Sequence, residues 1–180
     1  MRSLAALLLS AAPALAVGLQ IEVEGEADGT VVIDLFETVA PKHVERIVAL
    51  AEAGEYDDVV FHRVIDGFMA QTGDVEFGKG EVGRMSGMGG SDMPDLEAEF
   101  SDTLSFERGV VGMARSADPN SANSQFFIMF APAPHLNGQY TIVGEVTSGM
   151  EVVDAIKRGT GGNGAMVGEA DKMTSVTVIE

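Results

Sequence analysis

The sequence contains no cysteine and few basic residues, and each shortage excludes a class of protein. Without cysteine the chain can form no disulfide framework and carry out no thiol chemistry. Its 11 lysines and arginines are outnumbered by 28 aspartates and glutamates, which gives a formal net charge of −17. A nucleic-acid-binding protein needs the opposite sign, and an anionic membrane surface is disfavoured for the same reason. We interpret the acidic balance as a solvated surface, with attraction of basic client segments as the alternative.

Outside its N-terminus the sequence has few long runs of hydrophobic residues. There Arg2 precedes the apolar run 4–12, which is too short to span a bilayer and is followed by Ala14-Leu15-Ala16. A basic start, a short apolar run and an Ala-x-Ala end are typical of a secretory signal peptide; a short buried helix is the alternative. We therefore expect a signal peptide at 1–16, cleaved after Ala16, and a mature domain at 17–180. This predicts a periplasmic protein with no membrane anchor, and leaves full secretion open.

Apolar, β-branched and aromatic runs predict eight short strands. They cover residues 19–24, 30–36, 61–64, 68–72, 110–114, 125–130, 141–146 and 175–179. A chain of 180 residues suits one domain with a substantial core. Many short strands with two helices predict a mainly β fold, a closed β-barrel, because closure removes exposed strand edges.

Two helices are predicted between these strands. Pro41 favours a helix start, Gly54 favours its end, and an apolar stripe with i, i+3, i+4, i+7 spacing lies between them. His43 is expected on the exposed side of this helix. Ser148 and Glu151 fit a capping box that would open a second, shorter helix.

Alternation along three of the strands gathers distinctive side chains on one face. Residues 61–64 and 68–72 flank the turn-forming Ile65-Asp66-Gly67 and predict a hairpin. Successive side chains of a strand point to opposite faces. One face can therefore carry Arg63, Met69, Gln71, Gln125 and Phe127, while the other packs a core. His62 is expected to face away from Arg63 as a hydrogen-bonded core residue.

Residues 61–74 read Phe-His-Arg-Val-Ile-Asp-Gly-Phe-Met-Ala-Gln-Thr-Gly-Asp, and residues 123–128 read Asn-Ser-Gln-Phe-Phe-Ile. These two blocks closely resemble the cyclophilin family. Its members are peptidyl-prolyl cis-trans isomerases, and the resemblance runs from about Leu19 to Ile179. It implies an eight-stranded antiparallel β-barrel capped by two helices. It also implies an enzyme that acts on proline-containing unfolded or flexible polypeptides without a cofactor. The expected signal peptide predicts that these include exported proteins, and we expect a monomer.

The resemblance assigns roles to individual residues by motif position. Arg63 matches the catalytic arginine of the family. The proline pocket is matched by Phe68, Met69 and Phe127, with Leu136 completing its apolar wall. Gln71 matches the glutamine that binds the substrate backbone. Ala114 matches the strand that pairs with the bound peptide, and Gln125 lies along the same groove.

Three further groove positions depart from the common pattern of the family. His135 stands where many members have tryptophan, and Tyr140 stands where many have histidine. Arg115 replaces an asparagine that often follows the Met-Ala pair. These three departures are expected to alter peptide preference and inhibitor affinity, while the catalytic assignment is unaffected.

The chemistry of proline isomerisation explains why an arginine suits such a pocket. Rotation about a peptide bond breaks amide resonance, with a barrier of roughly 18–20 kcal/mol, and uncatalysed X–Pro exchange takes tens to hundreds of seconds. In the twisted state the proline nitrogen regains its lone pair and accepts a hydrogen bond better. Donation from Arg63, which keeps its charge at any ordinary pH, would stabilise that state more than either ground state.

Other functions and sites are less well supported by the sequence. A proline-peptide binding module or holdase is the main alternative, and a β-barrel that binds a small ligand lacks any motif. Residues 78–83 and 159–164 match G-x-G-x-x-G, but neither lies between a strand and a helix of a βαβ unit, so both predict flexible loops. Residues 87–90 instead resemble a family loop beside the peptide groove. The carboxylates of residues 92–102 do not match a calcium loop and predict a solvated acidic face, and no metal site is predicted.

Overall fold

The computed structural model describes residues 17–180, so the predicted signal peptide at 1–16 lies outside the described residues. Nine strands are present in this part of the chain: β1 Gly18–Glu24, β2 Gly29–Leu35, β3 Val59–Val60, β4 Arg63–Ile65, β5 Met69–Thr72, β6 Val110–Met113, β7 Phe126–Met129, β8 Ile142–Ser148 and β9 Lys172–Ile179. Two α-helices, α1 Pro41–Glu52 and α2 Met150–Ala155, accompany them, with short 3-10 turns at Pro134–Leu136 and Gly162–Gly164. Within residues 17–180 no helix has the length and apolar character needed to cross a membrane.

The strands form a single curled antiparallel sheet that is not a closed eight-stranded barrel. Their order is β3-β9-β1-β2-β8-β6-β7-β5-β4, and no ladder joins the two end strands. The first half of the predicted strand 61–64 lies in an interruption between β3 and β4, where the backbone of Phe61 donates to Asp171 and that of His62 accepts from Met166. The two end strands of the sheet, β3 and β4, therefore belong to one short segment of the chain and lie on either side of this interruption. The prediction of a mainly β fold with two helices is confirmed, and the predicted closure and strand count are wrong.

The two faces of the sheet pack against different apolar clusters. The larger core fills the space between the sheet and both helices, and it contains Ala70 of β5 and Ile128 of β7. The alternate residues of the same strands, Met69 and Phe127, belong to a smaller cluster on the other face, together with Phe106. This separation follows from the two-residue period of a strand. It leaves the smaller cluster available to line a surface site.

The helices have the predicted positions, but the predicted exposure of His43 and the predicted capping box are wrong. Helix α1 begins at Pro41 as expected, yet His43 is fully buried rather than exposed. Its Nδ1 lies 2.6 Å from Oε2 of Glu99, which comes from the acidic stretch 92–102 that packs over the start of the helix. Helix α2 is capped by Gly149 in the left-handed region with φ of 84° and has no side-chain cap, so the capping box predicted from Ser148 is wrong.

Candidate active site

A row of paired residues on the outer face of the sheet builds the site. In the β4–β5 ladder Arg63 lies opposite Gln71, and in the β5–β7 ladder Gln71 lies opposite Phe127. Gly112 of β6 is the next member of the row. A Cβ atom at Gly112 would lie 2.6 Å from the rings of both Phe106 and Phe127, so the absence of a side chain makes room for Phe127. Directly opposed side chains share a face of the sheet, as the sequence predicted.

The guanidinium of Arg63 is held by two residues from distant parts of the chain. Its Nη1 donates to Oε1 of Gln71, its Nε donates to the backbone oxygen of Asn163 and its Nη2 donates to Oδ1 of Asn163, each at 3.0 Å. An arginine carries five N–H groups, so one on Nη1 and one on Nη2 remain without an acceptor among residues 17–180. Partial burial lowers the pKa of Arg63 from its ordinary value, but an arginine keeps its charge throughout the physiological range.

A chain of amide side chains continues from Arg63 along the surface. Nε2 of Gln71 donates to Oε1 of Gln125 at 2.9 Å, and Nε2 of Gln125 donates to the backbone oxygen of Gly89 at 2.8 Å. The backbone N–H of Ala114 donates to the backbone oxygen of Gln125, and this bond holds the end of β6 against Gln125. Gln71 therefore presents its amide in a fixed orientation beside Arg63.

A cavity of about 320 Å³ with both apolar and polar lining residues opens beside Arg63. The ring of Phe127 forms its centre, stacked on Phe106 at a centroid distance of 5.7 Å and meeting Tyr140 edge-on at 5.8 Å. Its wall is formed by Arg63, Phe68, Met69, Gln71, Ala114, Arg115, Phe127, Leu136, Tyr140 and Asn163. We call it the proline cavity, after the role that the family resemblance implies for its residues.

A second cavity, also of about 320 Å³, adjoins the first. The two share Gln71, Ala114 and Arg115, and together we call them the groove. Its remaining wall consists of Gly87, Met88, Gly89, Ser116, Ser121, Asn123 and Gln125. The position of the glycine-rich stretch 87–90 beside the groove agrees with the prediction from the resemblance.

The structure brings together ten of the eleven residues singled out in the sequence. Nine of them line the proline cavity, and Gln125 lines the second cavity. His135 lines neither: it is exposed and its ring packs on Phe68 at a centroid distance of 5.7 Å.

Two residues that hold the site were missed by the sequence analysis. Asn163 lies within the glycine-rich match 159–164 and adopts a left-handed conformation with φ of 56°, which asparagine tolerates better than most residues. Asp74 is fully buried, and its carboxylate accepts from the backbone N–H of Gly87 at 2.6 Å and of Gly89 at 3.1 Å. The sequence offered one sign of each residue: Asn163 stands between glycines, and Asp74 is an acidic residue at the end of the block 61–74.

His62 packs beneath the groove without hydrogen-bond partners. It is buried as expected, but neither ring nitrogen has a partner among the described residues, so the expected hydrogen bonding is wrong. Burial lowers the pKa of His62 from its ordinary 6.5, opposed by the negative charge of Asp74. A Cβ atom on Gly87 would lie 2.8 Å from the His62 ring, so the imidazole and the glycine-rich loop are in close contact.

A cavity of about 790 Å³ lies away from this groove. Carboxylates surround it, including the buried Asp171, whose two oxygens already accept the backbone N–H groups of Ala27 and Lys157. Its lining residues include neither an aromatic side chain nor an arginine, and we take the groove to be the functional site.

The chain is similar to known proteins over most of its length. A family model described as "Cyclophilin type peptidyl-prolyl cis-trans isomerase/CLD" matches residues 19–178. A Brucella suis protein named "Probable peptidyl-prolyl cis-trans isomerase" is 56% identical over 154 residues, covering 84% of this chain and 78% of that protein. A peptidyl-prolyl cis-trans isomerase of Arabidopsis thaliana is 42% identical over 137 residues, covering 76% of this chain and 81% of that one.

Solved structures show the same fold. The crystal structure of a cyclophilin type peptidyl-prolyl cis-trans isomerase from Cryptosporidium parvum superposes with a TM-score of 0.77 at 25% identity, covering 92% of this chain and 99% of that chain. A second structure of that protein, in the presence of the dipeptide Ala-Pro, gives a TM-score of 0.76 at 26% identity and covers 91% and 99%. The match over residues 19–178 and the two relatives together show that this chain belongs to the cyclophilin-type peptidyl-prolyl cis-trans isomerases.

Proposed function

We propose that Arg63 catalyses the isomerisation by donating a hydrogen bond to the proline nitrogen of the twisted amide. The observation that carries this proposal is the orientation of its guanidinium. Three N–H groups are fixed by Gln71 and Asn163, and the two free ones belong to a side chain in the wall of the proline cavity. A donor that is fixed before the reaction needs no reorganisation during it.

The proline cavity supplies the remaining requirements. The pyrrolidine ring would rest on Phe127, with Met69 and Leu136 at its sides, and would exclude water from the reacting bond. Exclusion of water strengthens the hydrogen bond from Arg63, because the local dielectric constant falls. Gln71 would bind the substrate backbone. The relative solved in the presence of Ala-Pro supports proline-containing peptides as the ligand class.

The test is cis-trans exchange of a short X–Pro peptide, followed by NMR with purified residues 17–180. Replacing Arg63 with alanine should reduce kcat/KM by about 10²–10³-fold, the loss seen when one oxyanion-hole donor is removed. Arg84→Ala is the matched control, because Arg84 is exposed and lies outside both cavities. A folded Arg63→Ala protein with the activity of the control would overturn the mechanism. It would favour the alternative, a binding module or holdase whose isomerase activity is incidental.

The proposed setting is the periplasm, with exported proteins during folding as clients. Its support is the residues 1–16, where Arg2, a short apolar run and Ala14-Leu15-Ala16 follow the signal-peptide pattern. The proposed active form is a monomer. Mass spectrometry of the protein from its native cells should find Val17 at the N-terminus. A soluble mature protein that begins at Met1 or Arg2 would contradict the proposed location.

A further inference from the structure

Arg115 occupies the boundary between the two cavities of the groove. It follows the end of β6 and lines both of them. Its Nε and Nη2 donate to the backbone oxygen of Gln139 at 3.0 and 2.8 Å, and its Nη1 donates to that of Ser116 at 2.9 Å. Its Cζ atom lies 4.4 Å from the ring centroid of Tyr140. The guanidinium is therefore fixed in place, with two of its five N–H groups still free.

None of these partners neutralises the charge of Arg115. Of the ten lysines and arginines among residues 17–180, six lie within 4.0 Å of a carboxylate oxygen: Lys42, Lys79, Arg108, Lys157, Arg158 and Lys172. Of the four that do not, Arg63 and Arg115 line the groove, while Arg46 and Arg84 do not. Asp118, three residues along the chain, accepts from the backbone N–H of Asn120 instead. The groove thus keeps two unpaired positive charges on a chain whose net charge is −17.

We propose that Arg115 gives this isomerase a preference for proline segments with an aspartate or glutamate close to the proline. The inference rests on the proposed function, in which the proline occupies the cavity beside Arg63. A residue one or two positions from that proline would then pass Arg115, which borders both cavities. A fixed, partly desolvated guanidinium can donate two parallel hydrogen bonds to a carboxylate. A lysine at the same place would meet a like charge.

The experiment measures kcat/KM for short peptides with a single proline. Glutamate, glutamine or lysine is placed in turn at each of the two positions before and the two positions after the proline. The ratio of kcat/KM for glutamate over lysine is compared among the wild type, Arg115→Gln, Arg115→Lys and Arg115→Glu. Arg84→Gln is the matched control, because it removes the same charge from an exposed site outside the groove.

At one position or more, Arg115→Gln should lower the glutamate-to-lysine ratio about fivefold relative to wild type, the effect of a partly exposed ion pair of ~1 kcal/mol. Arg115→Lys should keep part of the preference, and Arg115→Glu should reverse it, which a purely structural role of the side chain would not produce. Arg84→Gln should leave the ratio unchanged. In the wild type alone, raising the salt concentration from about 0.01 to 1 M should weaken the preference, because the Debye length falls from about 30 to 3 Å.

Two results would overturn the proposal. One is a ratio that Arg115→Gln leaves unchanged at all four positions while the glutamine peptides are still isomerised in an Arg63-dependent manner. The other is an equal change in Arg84→Gln, which would assign the effect to net charge. Failure of the proposed function would differ from both, since Arg63→Ala would then isomerise the glutamine peptides as fast as the wild type. If Arg115→Gln does not fold, Arg115→Lys and the salt series still decide the question.

Discussion

Asn163 presents both its backbone oxygen and its side-chain oxygen to the guanidinium of Arg63, each at 3.0 Å. The two residues are 100 positions apart, and the contact depends on the left-handed conformation of Asn163, with φ of 56°. A bidentate contact of this kind sets the plane of the guanidinium. It therefore determines where the remaining N–H groups of Arg63 point, and Asn163 acts as a positioning residue.

Replacing Asn163 with glycine should lower kcat about tenfold with little change in KM. Glycine tolerates the left-handed backbone and retains the carbonyl, so only the bond from Arg63 Nη2 to Oδ1 is lost. A hydrogen bond to a charged group is worth ~1.5 kcal/mol or more, which corresponds to about a tenfold change. Asn163→Asp, which keeps an acceptor at this position, should retain more activity. An Asn163→Gly enzyme with wild-type kcat would show that Arg63 is positioned without this side chain.

Glu99 supplies the helix cap that the sequence before α1 lacks. The N-cap residue Ala40 has no side chain able to accept a hydrogen bond. Instead, Oε1 and Oε2 of Glu99 accept the backbone N–H groups of Lys42 and His43 at 3.3 and 3.1 Å. A carboxylate is also favoured at the positive end of the helix dipole.

Glu99→Ala should therefore lower the free energy of unfolding by about 1–2 kcal/mol, as expected for removal of an N-cap. Urea denaturation followed by circular dichroism measures this change. Glu97→Ala is the control, because Glu97 is exposed and makes only a surface pair with Lys42 at 3.6 Å; its loss should cost less than about 1 kcal/mol. Equal effects of the two substitutions would mean that the capping bonds of Glu99 contribute nothing to stability.

Local features of the fold could be predicted from the sequence, whereas long-range contacts such as those of Glu99 and Asn163 could not. The hairpin around Asp66-Gly67 was predictable because it depends on a few adjacent residues, while the pairing of Gln71 with Arg63 was supplied by the structure. Strand alternation allowed Gln71 and Phe127 to share a face, and the family resemblance supplied the expectation that their strands converge. By contrast, the burial of His43 depends on a segment more than 50 residues away, and no local pattern in α1 indicates it.

The interruption of the sheet at Phe61 and His62 was unpredictable for the same reason. Both residues suit a strand by type, and it is their hydrogen bonds to Asp171 and Met166 that remove them from a ladder. The family resemblance identified the residues around the groove, because it indicates which strands come together in the fold. The pattern of a single strand does not contain that information. The resemblance could not identify Asn163, which lies in a glycine-rich loop without a matching motif.

The buried histidines should make the stability of the protein depend on pH. Burial lowers the pKa of His62, and also that of His43 despite its contact with Glu99, below the ordinary value of 6.5. Below pH 6.5 the unfolded chain therefore binds protons that the folded chain does not. Stability present above pH 6.5 should be lost as the pH falls toward the folded-state pKa values, at up to ~1.4 kcal/mol per pH unit for each histidine.

The measurement is the free energy of unfolding at several pH values between 7.5 and about 5. Replacing His62 with glutamine should reduce the slope of this dependence, because one of the two titrating groups is removed. His135→Gln is the control, since His135 is exposed. If the slopes of His62→Gln and wild type coincide, His62 does not contribute to the acid sensitivity.

The position of His135 predicts weak inhibition by cyclosporin, the macrocyclic ligand associated with this family. In many members a tryptophan stands here, offering a large apolar surface and an N–H donor. In this chain the smaller imidazole is exposed and packs on Phe68 beside the proline cavity, at a centroid distance of 5.7 Å. A ligand that covers this position would bury less apolar surface, at about 25 cal/mol per Å², and would have to desolvate a polar ring. Binding should therefore weaken without any effect on Arg63.

The decisive comparison is inhibition of X–Pro isomerisation by cyclosporin in the wild type, His135→Trp and His135→Phe. The tryptophan variant should be inhibited at a lower concentration than the wild type, while its uninhibited kcat/KM for a short peptide changes little, because His135 lies outside both cavities. The phenylalanine variant separates the two contributions, since it adds apolar area without a donor: an intermediate sensitivity would assign the difference to both. If the wild type is inhibited as strongly as His135→Trp, the residue at this position does not set the sensitivity of this enzyme, and the prediction is wrong.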